Sequence, residues 1–206
     1  FTGNHSQYKN MGKGLYQSFP VYKQAFDLCD EIASGYIDKK LKTLLFEDSD
    51  TALENLLNDR PEYYHLAIFA VEFSLSELWK SWGIIPSAVA GSSLGEYGAA
   101  CVAGVFSLKE AIYLVYQRAS LFSRMPKVGS IIVAFADEAY LRDKIAPYKG
   151  RVEFAGFNGP KHFLLAGYKD AIEEISSMLE DELIRVFTLN SPVAYHSFLM
   201  EQAKEE

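Results

Sequence analysis

The pentapeptide Gly91-Ser92-Ser93-Leu94-Gly95 constrains this chain more than any other feature. It matches G-x-S-x-G and lies between an apolar run, Ala88-Val89-Ala90, and a small-residue segment, Glu96–Val102, that predicts a helix. Glycines at both ends permit a strained strand-to-helix turn that side chains there would block, and such a turn lifts the Ser93 hydroxyl out of the sheet. The helix that follows aims its N-terminus at the hydroxyl, and the Leu94 N–H is placed to hold a developing oxyanion. Strand, tight turn and helix form half of a parallel α/β unit. The five residues alone also suit a Gly-rich turn without chemistry. The strand before and the helix after are what nucleophilic catalysis requires.

Around this turn the order of elements predicts two domains. Ser18 and Pro20 open a helix with apolar residues at Val21, Ala25, Leu28, Cys29 and Ile32, closed by Gly35. An acidic, leucine-bearing stretch covers Ala52–Asn58. Pro61 opens a longer helix through Leu66, Phe69, Phe73, Leu78 and Trp82, apolar on most sides and ended by Gly83, the pattern of a central helix. Leu108–Phe122 is a further helix. From Gly129 the texture changes. Ile131–Phe135 reads as a strand and Glu138–Ile145 as a helix. Val152–Phe157 and His162–Ala166 read as strands joined at Asn158-Gly159-Pro160, followed by helix Ala171–Leu179 and strand Arg185–Leu189. The order β-α-β-β-α-β is ferredoxin-like. The expected fold is therefore α/β. A hydrolase-like large domain with a parallel sheet (1–126 and 190–206) is interrupted by a ferredoxin-like small domain (127–189).

Composition excludes several function classes. With 20 Lys+Arg against 27 Asp+Glu the net charge is −7, which argues against nucleic acid as a partner, since that affinity rests on neutralising phosphates. An apolar fraction of 49% is too high for a disordered chain. No stretch reaches the ~18 apolar residues of a membrane span. Cys29 and Cys101 fall in apolar helical patterns and read as buried free thiols, which fits a reducing, cytoplasmic setting. Phe1–His5 shows no leader pattern, and Glu201–Glu206 reads as the start of a helix cut short.

A serine nucleophile needs a base, and the histidines are His5, His65, His162 and His196. His162 falls at a surface hairpin. His196, in Ser191-Pro192-Val193-Ala194-Tyr195-His196-Ser197, falls in a loop where the chain re-enters the large domain, a place for either a solvent-facing or a catalytic residue.

Gly91–Tyr97 with Ala100-Cys101-Val102-Ala103-Gly104-Val105 and Ser107-Leu108 resembles the malonyl-CoA:acyl-carrier-protein transacylases and the acyltransferase domains of modular polyketide synthases. Phe1-Thr2-Gly3-Asn4-His5-Ser6-Gln7 with Met11-Gly12 resembles the family's opening. Phe69–Phe73 with Glu77-Leu78-Trp79 and Trp82-Gly83 resembles its long helix, Asn158-Gly159-Pro160 its hairpin, and Ala194-Tyr195-His196-Ser197 with Leu199-Met200 its histidine motif. The resemblance covers the whole chain in order. It implies a ping-pong acyltransferase with Ser93 as nucleophile, His196 as base, and the backbone N–H groups of Asn4 and Leu94 as oxyanion hole. The family orients this histidine through a main-chain carbonyl that falls beyond residue 206, so the C-terminal part of the large domain is expected to be absent. Arg118, 25 positions after Ser93, matches the arginine that pairs with the free carboxylate of a malonyl-type acyl group. A planar guanidinium fork suits that role. Asn158 is implied as a supporting residue.

Three departures bear on the acyl pocket. Ser92 replaces the usual His, His65 stands where many relatives have Gln, and Tyr195 stands where malonyl-type members have Phe. Hydroxyls at Ser92 and Tyr195 prefer partners, so the expected acyl group is malonyl or a small polar 2-substituted malonyl such as hydroxymalonyl. The donor is a CoA or carrier-protein thioester, with no tightly bound cofactor and no metal. Implied partners are acyl carrier proteins and neighbouring synthase domains. Two alternatives remain: a serine thioesterase or acyl hydrolase of related fold that uses the same elbow with water as acceptor, and a non-catalytic domain that retains the fold. A hydrolase would show Ser, then Asp or Glu, then His in chain order, without the insert.

Overall fold

The computed structural model describes residues 1–47, 55, 59–189, 191 and 193–204. The Ala52–Asn58 stretch, apart from Asn55, lies outside the described residues. The chain divides into two compact units, Phe1–Ser123 and Arg124–Glu206.

The described part of the first unit is helical: α1 (Lys13–Ser18), α2 (Pro20–Ala33), a wide π turn at Thr43–Glu47, α3 (Pro61–Ser81), α4 (Gly95–Val102) and α5 (Leu108–Arg124). Proline at the first position of α2 and of α3 sets φ for the helix and gives up only an N–H that would have had no partner in it. Tyr22, Phe26, Cys29 and Ala33, at helical spacing, place one face of α2 in the core. α3 is buried on every side from Pro61 to Ala70, as expected of a central helix, whereas Trp79 and Trp82 at its end are exposed. Asp30 of α2 is buried too. Its carboxylate accepts from Leu41 N (2.6 Å), and burial still raises its pKa. Cys29 and Cys101 are buried free thiols, and burial pushes the Cys29 thiol far above its ordinary range.

Residues 88–90 depart from the expected strand. Phe1 N donates to Ala90 O (2.8 Å) and Ser92 N donates to Phe1 O (3.1 Å). Two bonds to one residue do not make a ladder, and Ile84 and Ile85 just before it are exposed.

In the second unit, β1 (Gly129–Ala134), α6 (Glu138–Ile145), β2 (Val152–Gly159), β3 (His162–Tyr168), α7 (Lys169–Asp181) and β4 (Val186–Leu189) follow in the expected β-α-β-β-α-β order. The antiparallel sheet runs β2-β3-β1-β4, with Ile132 opposite Leu165 on one side and Thr188 on the other. Ile132, Ala134 and Leu165 meet Leu141 of α6 and Ala171, Ile172, Ile175 and Leu179 of α7 in one core. β2 runs past the expected joint. Asn158 and Gly159 belong to the strand, and the turn is Pro160-Lys161. Two register shifts against β3, after Phe154 and after Phe157, let it continue.

No helix among the described residues is long and apolar enough to cross a membrane. Leu141 has no exposed surface, so Leu141→Ala should destabilise the protein by about 2–5 kcal/mol in chemical denaturation. Leu183, 93% exposed, serves as the control, and Leu183→Ala should stay within about 0.5 kcal/mol.

Candidate active site

The turn at Gly91–Gly95 closes on itself and on the first residues of the chain. A Cβ on Gly91 would lie 2.2 Å from Gly95 C, and one on Gly95 would lie 2.4 Å from Phe1 O. Neither position has room for a side chain, and the neighbours are backbone that cannot step aside. Ser93 between them has φ 52°, in the left-handed region that non-glycine residues rarely occupy. The turn's own bonds run from Gly95 N to Ser92 O (2.9 Å) and from Glu96 N to Ser93 O (3.1 Å), leading directly into α4. Leu94, the residue before that helix, is buried.

The segment against which the turn closes is itself clamped. Glu72 on α3 accepts from both the backbone N–H and the hydroxyl of Thr2, the latter at 2.7 Å. The Thr2 hydroxyl also meets Ser6 Oγ (3.0 Å), which donates to Gly3 O (2.9 Å). Burial raises the Glu72 pKa, against the pull of the Thr2 bonds. This network brackets Asn4. Sequence reasoning missed Glu72, although a carboxylate inside the apolar run Phe69-Ala70-Val71-Glu72-Phe73 was a signal of a buried partner.

Arg118 on α5 reaches Ser93. Its Nη2 donates to Ser93 Oγ at 3.2 Å and its Nη1 lies 3.4 Å from His65 Nδ1. Its guanidinium lies 4.7 Å from the ring centre of Phe122 and 5.8 Å from that of Tyr97. Cation–π attraction holds such a group between rings. His65 on α3 has no exposed surface, and its Nε2 has no hydrogen-bond partner among the described residues. Burial, the Arg118 charge and His5 together hold its pKa well below the ordinary histidine value. Ser92 is exposed.

The remaining expected residues lie in the second unit. His196 has φ 59° and an exposed side chain, while Tyr195 beside it is buried. Their turn is built by serine hydroxyls: Ser191 Oγ donates to Val193 O (2.7 Å) and Ser197 Oγ to Ala194 O (2.6 Å). Ala194 is pressed against Gly129 at the start of β1, where a Cβ would lie 2.5 Å from the Ala194 Cβ. Asn158 is exposed near the end of β2. The structure thus brings Ser93, Arg118 and His65 together in the first unit, with Asn4, Ser92 and Leu94 on the segments beside Ser93. It presents His196 and Tyr195 from one tight turn of the second.

A strained, half-buried serine thus stands at the mouth of a helix with a guanidinium on its hydroxyl. The acyl transferase domain family matches residues 1–206 from end to end, and the chain belongs to that family. It is 36% identical over 206 residues to the mycoketide-CoA synthase of Mycobacterium tuberculosis, covering all of this chain and 5% of that synthase. The acyltransferase domain from the second module of the salinomycin polyketide synthase is similar over all of this chain and 47% of its own, with TM-score 0.86 and 36% identity. A malonyl-transacylase solved in complex with a type II polyketide synthase acyl-carrier protein is similar at TM-score 0.86 and 29% identity, over all of this chain and 66% of its own. The chain therefore spans about half of the solved synthase domain and a small part of the synthase.

The depressed His65 pKa has a consequence for stability. Below pH 6.5 the unfolded chain takes up a proton that the buried ring resists, so stability falls as pH drops from 6.5 through the folded value. His65→Gln should therefore lose less stability than wild type between pH 7 and pH 5, measured by chemical denaturation at each pH.

Proposed function

We propose that the protein transfers a malonyl-type acyl group from a thioester donor through a Ser93 ester to the phosphopantetheine thiol of an acyl carrier protein. The observation that carries this reading is the 3.2 Å contact between Arg118 Nη2 and Ser93 Oγ. A permanent cation beside a nucleophile is poorly matched to a plain acyl chain and well matched to an acyl group ending in a carboxylate.

In this mechanism Ser93 Oγ attacks the thioester carbonyl while His196 takes its proton. The oxyanion rests on the N–H groups of Asn4 and Leu94, a role that needs backbone alone. The C–S bond breaks, and the leaving thiolate collects the proton from His196. The acyl group is left as an ester on Ser93 with its carboxylate on Arg118. The carrier thiol then attacks the ester, His196 takes the thiol proton, and the proton returns to Ser93 as the acyl group departs. CoA or the carrier arm is a substrate, and no tightly bound cofactor takes part. The large domain in this reading is 1–126 with 190–206, and 127–189 is the inserted small domain. Acyl carrier proteins and neighbouring synthase domains are its partners, a reading supported by the carrier complex of the similar transacylase. Buried free thiols suit a cytoplasmic setting.

For the acyl group itself we favour malonyl or hydroxymalonyl. His65, beside Arg118, carries a buried ring nitrogen without a partner among the described residues. Such a group favours an oxygen substituent over a methyl group. Asn158 is assigned a supporting role.

Intact-mass analysis with malonyl, methylmalonyl and hydroxymalonyl thioesters tests the reading. A stable adduct absent in Ser93→Ala, transferable to carrier protein and weakest with methylmalonyl, is expected. Rapid release of free acid would indicate hydrolysis, and preference for methylmalonyl would overturn the polar pocket. Removing the guanidinium in Arg118→Ala should lower malonyl loading by about 100-fold or more.

A further inference from the structure

We propose that His65 is a positioning residue: its neutral ring accepts from Arg118 Nη1 and aims the guanidinium, so that selectivity for acyl groups ending in a carboxylate depends on it. This rests on the acyl-transfer reading above and adds the means by which the arginine is held.

The bond fixes the state of the ring. Arginine stays protonated and can only donate, so Nδ1, 3.4 Å from Nη1, is the acceptor and the ring proton sits on Nε2. Protonating Nδ1 would remove the acceptor and set two cations side by side. The buried environment and the Arg118 charge disfavour that form. Edge-on contacts with Tyr64 (ring centres 4.7 Å) and Phe122 (6.2 Å) fix the ring plane.

A guanidinium on a long, flexible stem needs two kinds of restraint. The faces of Phe122 and Tyr97 limit its tilt, but stacking leaves it able to turn within its own plane. In-plane direction comes from hydrogen bonds, among them those to Ser93 Oγ and His65 Nδ1. Once Ser93 becomes an ester, its oxygen is a weak acceptor. The His65 bond persists through that step and keeps the fork turned toward the place where the carboxylate arrives.

A purely structural role fits poorly. His65 has no exposed surface and follows directly on the buried aromatic pair Tyr63 and Tyr64, yet its Nε2 lacks a partner among the described residues. An apolar residue would fill the same place without leaving a buried donor unmet. The acceptor on the Arg118 side is what the histidine adds.

The test uses the full-length protein with His65→Gln, His65→Leu and wild type, comparing kcat/KM for acylation from malonyl-CoA and acetyl-CoA. His65→Leu should lower the malonyl-to-acetyl ratio by about 10-fold or more, chiefly through KM for malonyl-CoA. His65→Gln offers a carbonyl acceptor and should restore the ratio to within about 3-fold of wild type. Equal losses with both donors, or a Gln variant as poor as the Leu variant, would overturn the proposal. Nitrogen NMR of the His65 ring in the donor-free protein separates this proposal from the broader reading. An Nε2–H tautomer that is lost in Arg118→Met sustains the positioning bond even if no acyl adduct forms. A ring indifferent to Arg118 refutes the bond even if acyl transfer is observed.

Discussion

The site depends on a close approach of backbone to backbone. Gly91 lies on Gly95, and Gly95 on the carbonyls of Phe1 and Thr2, at distances that admit no side chain. That closure forces Ser93 into left-handed geometry and delivers its hydroxyl at the start of α4. The strain costs on the order of 1–3 kcal/mol and survives because its surroundings over-determine it. Phe1 bonds to Ala90 and Ser92, and Glu72 of the buried helix α3 holds Thr2. The turn is therefore anchored to the core of the first unit, not left to its own local preferences.

The same helix organises the electrostatics. α3 contributes Glu72 to the clamp on one side and His65 to Arg118 on the other. Arg118 arrives from α5, framed by Phe122 and Tyr97. The result is a fixed cation at Ser93 beside an imidazole kept neutral. Such preorganised charge is suited to an anionic acyl group, because the site need not reorganise when that group enters. Ser93 strain, Arg118 charge and the His196 turn thus have separable physical origins.

The elements most legible in the sequence were those whose signals are local. Pro20 and Pro61 mark the starts of α2 and α3, whereas of the apolar residues read on α2, Ala25 and Cys29 are buried but Val21 and Leu28 are exposed, because Tyr22 and Phe26 set the buried face. The small domain was legible because each strand is bounded by its own turn or helix signals. Ala88–Ala90 has the composition of a strand, but a ladder is a property of partners, and among the described residues its backbone neighbour is Phe1. The run of β2 through Asn158 depends on bulges set by the cross-strand residues of β3, which composition does not report. Ser93, His196 and Arg118 were found through motif and resemblance. The contact between His65 and Arg118, 53 positions apart, arises only when α3 and α5 pack. Its one local trace was a histidine in the apolar run from Tyr63 to Val71.

In the proposed transfer Ser93 carries the acyl group while Arg118 holds its carboxylate. A crystal structure of the full-length protein after exposure to malonyl-CoA tests this most directly. An ester on Ser93 Oγ is expected, with both carboxylate oxygens within hydrogen-bond distance of the Arg118 guanidinium. An acyl group on another residue, or an ester on Ser93 whose carboxylate turns away from Arg118, would contradict it.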